Sequence, residues 1–154
     1  MLILKVTKRK EGEILGKKVI LSIVSRQSDG NQQEKIEVKT EGEYFFQNGK
    51  HFVLYEEIEE NSNQKIKTRM KFTNTSMEMT KTGAIDTRMT FEEKKEYQVE
   101  YCTFIGRLFL GLYTKKYEML EKANGFCLST SYQLEMDASY KTDCEIEIGI
   151  EFIN

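Results

Sequence analysis

The sequence predicts an all-β protein, a single antiparallel up-and-down β-barrel of about eight to ten strands, with one domain over residues 1–154. Three observations carry this. Apolar and polar residues alternate with a period of two in several segments, as only a pleated strand with one wet face requires. Turn residues interrupt those segments at short intervals. No amphipathic helix of normal length is visible in between.

Ten segments fall between the turns, near 18–27, 34–46, 51–59, 64–72, 76–81, 86–92, 97–102, 107–117, 126–136 and 143–153. In the second, Ile36, Val38 and Thr40 oppose Glu37, Lys39 and Glu41. In the fourth, Ile66, Thr68, Met70 and Phe72 oppose Lys65, Lys67, Arg69 and Lys71. Leu108, Leu110 and Leu112 form one face of the eighth. Leu128, Thr130, Tyr132, Leu134 and Met136 form one face of the ninth. The last segment alternates most cleanly: Cys144, Ile146, Ile148, Ile150 and Phe152 against Glu145, Glu147, Gly149 and Glu151. Asp29-Gly30, Asn48-Gly49, Asn61-Ser62-Asn63, Thr73-Asn74-Thr75, Thr82-Gly83 and Asn124-Gly125 supply the turns, and Asn-Gly and Asp-Gly give the positive φ that tight hairpins need. Tyr113 to Ala123 reads either as strand or as a helical turn, because Leu, Glu, Lys and Met favour helix. So many short strands must close or stack, since open edges invite pairing with other chains. A two-sheet sandwich is the alternative to the barrel.

Composition excludes several classes. The chain has 154 residues, 39% hydrophobic and 31% charged, with a formal net charge of −2. That balance argues against a non-specific nucleic-acid binder, and no apolar run approaches the ~18 residues of a membrane helix. Three cysteines, Cys102, Cys127 and Cys144, form neither a disulfide framework nor a paired metal motif. The apolar Met1–Leu4 precedes Lys5, Lys8, Arg9 and Lys10, the reverse of a secretory signal. The expectation is a cytoplasmic protein with reduced thiols, without metal, cofactor, nucleic-acid or membrane partner, and of unspecified oligomeric state. The single histidine, His51, cannot build a two-histidine metal site, and reads as a hairpin-flank residue in a wet loop. No nucleophile elbow, P-loop or dinucleotide fingerprint is present. No residue set assembles a nucleophile, a base and an oxyanion stabiliser, so no catalytic activity is expected.

Several segments resemble, in order, the YwiB-like family of small bacterial proteins of unknown function. They are Gly30-Asn31-Gln32, Ile36 to Gly42, Leu54-Tyr55-Glu56-Glu57, Lys65-Ile66-Lys67-Thr68, Met79 to Ala84, Phe91 and Tyr101 to Gly106, followed by the two long C-terminal strands. The resemblance implies a calycin-type barrel, similar in shape to lipocalins and fatty-acid-binding proteins. Lys81 stands where that family usually has Arg, and Tyr101–Gly106 lacks a Pro often found there.

Polar residues on apparently inward faces give a candidate site. Alternation places Thr68 and Lys81 inside. One of the adjacent Glu56 and Glu57 shares that side whichever way the third strand faces, since Phe52-Leu54-Ile58 and Val53-Tyr55 are both apolar sets. The resemblance adds Tyr55, Glu57, Thr68, Lys81, Tyr101 and Thr103 as matching positions. The candidate ligand-binding residues are therefore Tyr55, Glu56, Glu57, Thr68, Lys81 and Tyr101. The expected function is binding of a small or amphipathic ligand in the barrel interior; the alternative is a protein-interaction or structural module without such a ligand.

Overall fold

A computed structural model describes residues 16–59, 62–137 and 140–153. The N-terminal stretch Met1–Lys10, Glu60 and Asn61 lie outside the described residues. Ten strands follow one another: β1 (Lys17–Ser28), β2 (Gln33–Gln47), β3 (Lys50–Ile58), β4 (Lys65–Phe72), β5 (Ser76–Gly83), β6 (Ile85–Glu92), β7 (Glu96–Thr103), β8 (Gly106–Lys122), β9 (Gly125–Asp137) and β10 (Tyr140–Phe152). Each pairs antiparallel with its sequence neighbours, and β1 pairs with β10 from Val19↔Phe152 to Ser28↔Asp143, closing the barrel. No helix of the described residues is long and apolar enough to cross a membrane.

The elements follow from local chemistry. Asn48 and Gly49 both take positive φ, 53° and 75°, in the two-residue turn joining β2 to β3, the primed geometry that matches strand twist. The Tyr113–Ala123 segment is strand as far as Lys122, with Ala123 in the turn to β9, and not helix. A bulge between Thr114 and Lys116 explains its pattern: Thr114 pairs with Tyr132 and Tyr117 with Thr130, so the inward residues stand three apart instead of two. That spacing imitates a helical period.

The inner face is layered. His51, Phe72, Met77 and Phe91 stand opposite one another across β3 to β6, and Val53, Met70, Met79 and Met89 form the next layer. Most of these residues are buried. At the end of the barrel that holds His51, aromatic rings close the interior. His51 stacks on Phe72 with centroids 4.9 Å apart, and Phe126 packs edge-on against Phe72. The Tyr44 hydroxyl and His51 Nδ1 share a 2.8 Å hydrogen bond. His51 is therefore part of a half-buried aromatic plug, not a residue of a wet loop. Burial lowers its pKa, and Glu121 only partly offsets this.

Two seams depart from full pairing. β2 pairs with β3 only from Glu43↔Leu54 to Gln47↔Lys50, although β2 pairs with β1 along Gln33–Tyr44 and β3 pairs with β4 up to Ile58. β6 pairs with β7 only at Ile85↔Thr103 and Asp86↔Cys102.

Candidate functional site

Above the methionine layer the inner face turns polar. Tyr55 on β3 stands opposite Thr68 on β4, Thr68 opposite Lys81 on β5, and Lys81 opposite Thr87 on β6. Directly opposite residues in adjacent strands have Cβ atoms about 5 Å apart, so these four side chains form one continuous belt. Tyr101 on β7 extends it, since its neighbour Cys102 pairs with Asp86 and Tyr101 itself pairs with Leu108. One layer higher, Glu57 reaches down to Lys81, with Oε2 and Nζ 3.5 Å apart.

The structure thus brings together Tyr55, Glu57, Thr68, Lys81 and Tyr101. Glu56 is the exception. It faces outward, is exposed, and lies 3.9 Å from the Lys65 ammonium. No bulge interrupts β3 against β4, so strict alternation carries Val53, Tyr55 and Glu57 inward and Phe52, Leu54 and Glu56 outward. Of the outer apolar residues, Leu54 is exposed and Phe52 is covered by its own contacts. Phe52 stacks on Phe45 with centroids 4.9 Å apart, and the Arg69 guanidinium lies 6.0 Å from the Phe52 ring.

The belt is rich in donors. Burial first, and the Glu57 carboxylate second, push the Tyr55 phenol well above its ordinary range; the neighbouring Thr68 hydroxyl works weakly the other way. Burial, then Glu57 and Glu59, raise Tyr101 as well. Both phenols therefore keep their protons at neutral pH. The Thr68 and Thr87 hydroxyls are buried without a well-formed hydrogen bond among the described residues. A buried polar group left unpaired costs about 1–3 kcal/mol, so the belt holds hydrogen-bonding capacity that the fold does not use.

His51 lies at the far end of the barrel, three layers below Glu57 in the β3–β4 register. Burial raises the Cys144 thiol to about 11, which keeps it protonated. All three cysteines are free: Cys144 is buried, Cys102 and Cys127 half-buried. Among the described residues no three His, Cys, Asp or Glu side chains converge as a metal site would require.

Two features border the belt. Where β2 leaves β3, an open cleft of about 810 Å³ is lined by Gly42, Tyr55 and Thr68 together with residues of the outer face. On the β7–β8 side, Leu108 is exposed beside Tyr101, and Phe104 and Ile105 at the turn are 81% and 83% exposed.

A closed ten-stranded antiparallel meander with a polar belt inside is a calycin-like barrel. The chain matches the family described as "Domain of unknown function (DUF1934)" over residues 21–148, and it belongs to that family. It is similar to the ywiB protein from Bacillus subtilis, known from a crystal structure, with 22% identity and a TM-score of 0.80 over 90% of this chain and 93% of that one. That likeness is one of fold. No curated protein matches.

Proposed function

We propose that the barrel binds a small amphipathic molecule, with its polar group on the inner belt and its apolar part against Leu108 and the Phe104–Ile105 turn. The observation that carries this reading is the in-register row Tyr55–Thr68–Lys81–Thr87, whose two threonine hydroxyls are buried without a well-formed hydrogen bond among the described residues. A ligand carboxylate or hydroxyl would satisfy those donors together with Tyr55 and Tyr101, while Glu57 would accept from a ligand N–H or O–H. The methionines of the layer beneath, Met70, Met79 and Met89, are unbranched and adjust to irregular shapes at low cost. The role is binding, not catalysis, and the site is the cytoplasm, where free thiols such as Cys102 and Cys127 persist.

The test is native mass spectrometry of protein purified without refolding, followed by titration with dodecanoate and displacement of the dye 1-anilinonaphthalene-8-sulfonate. Saturable binding that Tyr55→Phe and Lys81→Met each weaken supports the reading. No co-purifying molecule and no saturable binding would favour the second reading, docking of a protein partner on the exposed Phe104–Ile105 turn.

A further inference from the structure

The outer face carries a second constellation that the inner belt does not use. On β4, β5 and β6, Arg69 stands opposite Thr80 and Thr80 opposite Arg88, so two guanidinium groups flank one hydroxyl in strict register. Both arginines and the threonine line the 810 Å³ cleft, as do Lys67 and Thr82 one step along. The Thr80 hydroxyl is buried in the floor of this cleft and has no hydrogen-bond partner among the described residues.

The charge here is not balanced. Among the described residues Glu78 is the carboxylate that faces Arg69 at 3.4 Å, Lys71 at 3.8 Å and Arg88 at 4.0 Å. One carboxylate against three cations leaves two positive charges on this face, before Lys67 is counted. The opposite wall carries Glu41, Glu43 and Glu56 against one cation, Lys18, which stands opposite Glu43, so it is acidic on balance, and exposed Leu54 lies between the two. From Glu43 across Leu54 and Arg69 to Thr80 is three strand spacings, roughly 14 Å.

We propose that the outer part of this cleft, whose inner part reaches Tyr55 and Thr68 of the belt, is a binding site for a small phosphorylated metabolite. Arg69 and Arg88 take the phosphoryl oxygens, which suits their planar paired donors, and the Thr80 hydroxyl donates to the oxygen between them. The body of the ligand lies over Leu54, and its own hydroxyl or amino donors meet the glutamates of the far wall. A ligand with an anionic end and a donor-rich end, such as a sugar phosphate or a nucleoside monophosphate, matches the two walls; a bare anion uses only one of them.

Calorimetric titration at constant ionic strength with pyrophosphate and with adenosine monophosphate tests this. Saturable binding is expected, tighter for the monophosphate than for pyrophosphate. Arg88→Gln should weaken it about tenfold, the loss of one charge-assisted hydrogen-bonding pair, and Thr80→Val should weaken it without removing charge. Arg88 is largely exposed, so its variant should keep the fold, which the urea midpoint checks. Two controls separate the alternatives. Lys115→Gln, on the β8 bulge and paired with Asp143 at 3.1 Å, should leave binding unchanged, and Lys81→Met inside the barrel should weaken it less than Arg88→Gln does. No saturable heat, or equal weakening by Lys115→Gln, would overturn the site. Loss of binding in Lys81→Met with none in Arg88→Gln would assign the ligand to the inner belt instead.

Discussion

Glu57 and Lys81 meet inside the barrel from strands that are not neighbours, β3 and β5, with β4 between them and their charged atoms 3.5 Å apart. Their side chains are 27% and 20% exposed, so the pair is neither a surface ion pair nor a fully dry one. Lys81→Met is therefore expected to cost about 1–2 kcal/mol. That lies above the ~0.2–1 kcal/mol of exposed pairs and below the ~3–5 kcal/mol of breaking a buried one from one side. Urea melts of both proteins measure it, and a difference under about 0.3 kcal/mol would mean that water, not Lys81, satisfies Glu57.

The aromatic plug makes a pH prediction. His51 is the only histidine, and its folded-state pKa is lowered by burial. Above the unfolded value of about 6.5, both states carry a neutral imidazole and its contribution to stability is constant. Below it, the unfolded chain binds the proton first, so stability falls as pH falls, by at most about 1.4 kcal/mol per unit for one group. Urea midpoints from pH 8 to 5.5 should be flat and then decline. The decline between pH 6.5 and 5.5 should shrink in His51→Gln; an unchanged slope would assign it to other groups.

A hydrogen bond ties the bulged strand to the turn between β4 and β5. The Tyr117 hydroxyl donates to the Thr73 carbonyl at 2.8 Å. Tyr117→Phe removes that donor while keeping the ring, for an expected loss of about 1 kcal/mol. Thermal unfolding should show a lower midpoint; an equal midpoint would show that water replaces the phenol at no cost.

Gly42 marks the point where β2 parts from β3. A Cβ there would lie 2.9 Å from the Leu54 carbonyl oxygen, 3.2 Å from Leu21 Cδ1 and 3.3 Å from Val53 Cγ1. Backbone cannot yield as a side-chain tip can, so Gly42→Ala should destabilise by about 1–3 kcal/mol. Chemical denaturation would measure this, and a neutral result would mean that the two strands separate further without penalty.

Where the sequence was legible, one face was apolar and the other charged. β10 and β4 are of that kind, and their alternation alone orients them. β3 is not: Phe45 and Arg69 cover Phe52 on the outside, so both of its faces carry apolar residues, and only pairing with β4 reveals that Glu57 is the inner glutamate. Tyr113–Ala123 stayed open between strand and helical turn for a different reason, since an unpaired bulge residue shifts the phase of alternation without any glycine or turn residue to announce it. Thr68 and Lys81 were readable as inward residues one strand at a time. That Tyr55, Thr68, Lys81 and Thr87 share one row depends on inter-strand register, as does the Arg69–Thr80–Arg88 row outside, and register is set by the whole barrel.

The β1–β10 ladder has a consequence for biosynthesis. β1 is among the first strands to leave the ribosome, yet its closing partner is the last, so the barrel stays open until β10 has been made. During that interval the β1 edge presents Val19, Leu21 and Ile23 on one face and Ile20 and Val24 on the other, an apolar template for wrong pairing. The β1–β2 hairpin forms early but covers only one side of that edge. A nascent chain stalled before Tyr140 should therefore engage chaperones, and releasing a chain that includes β10 should end that dependence.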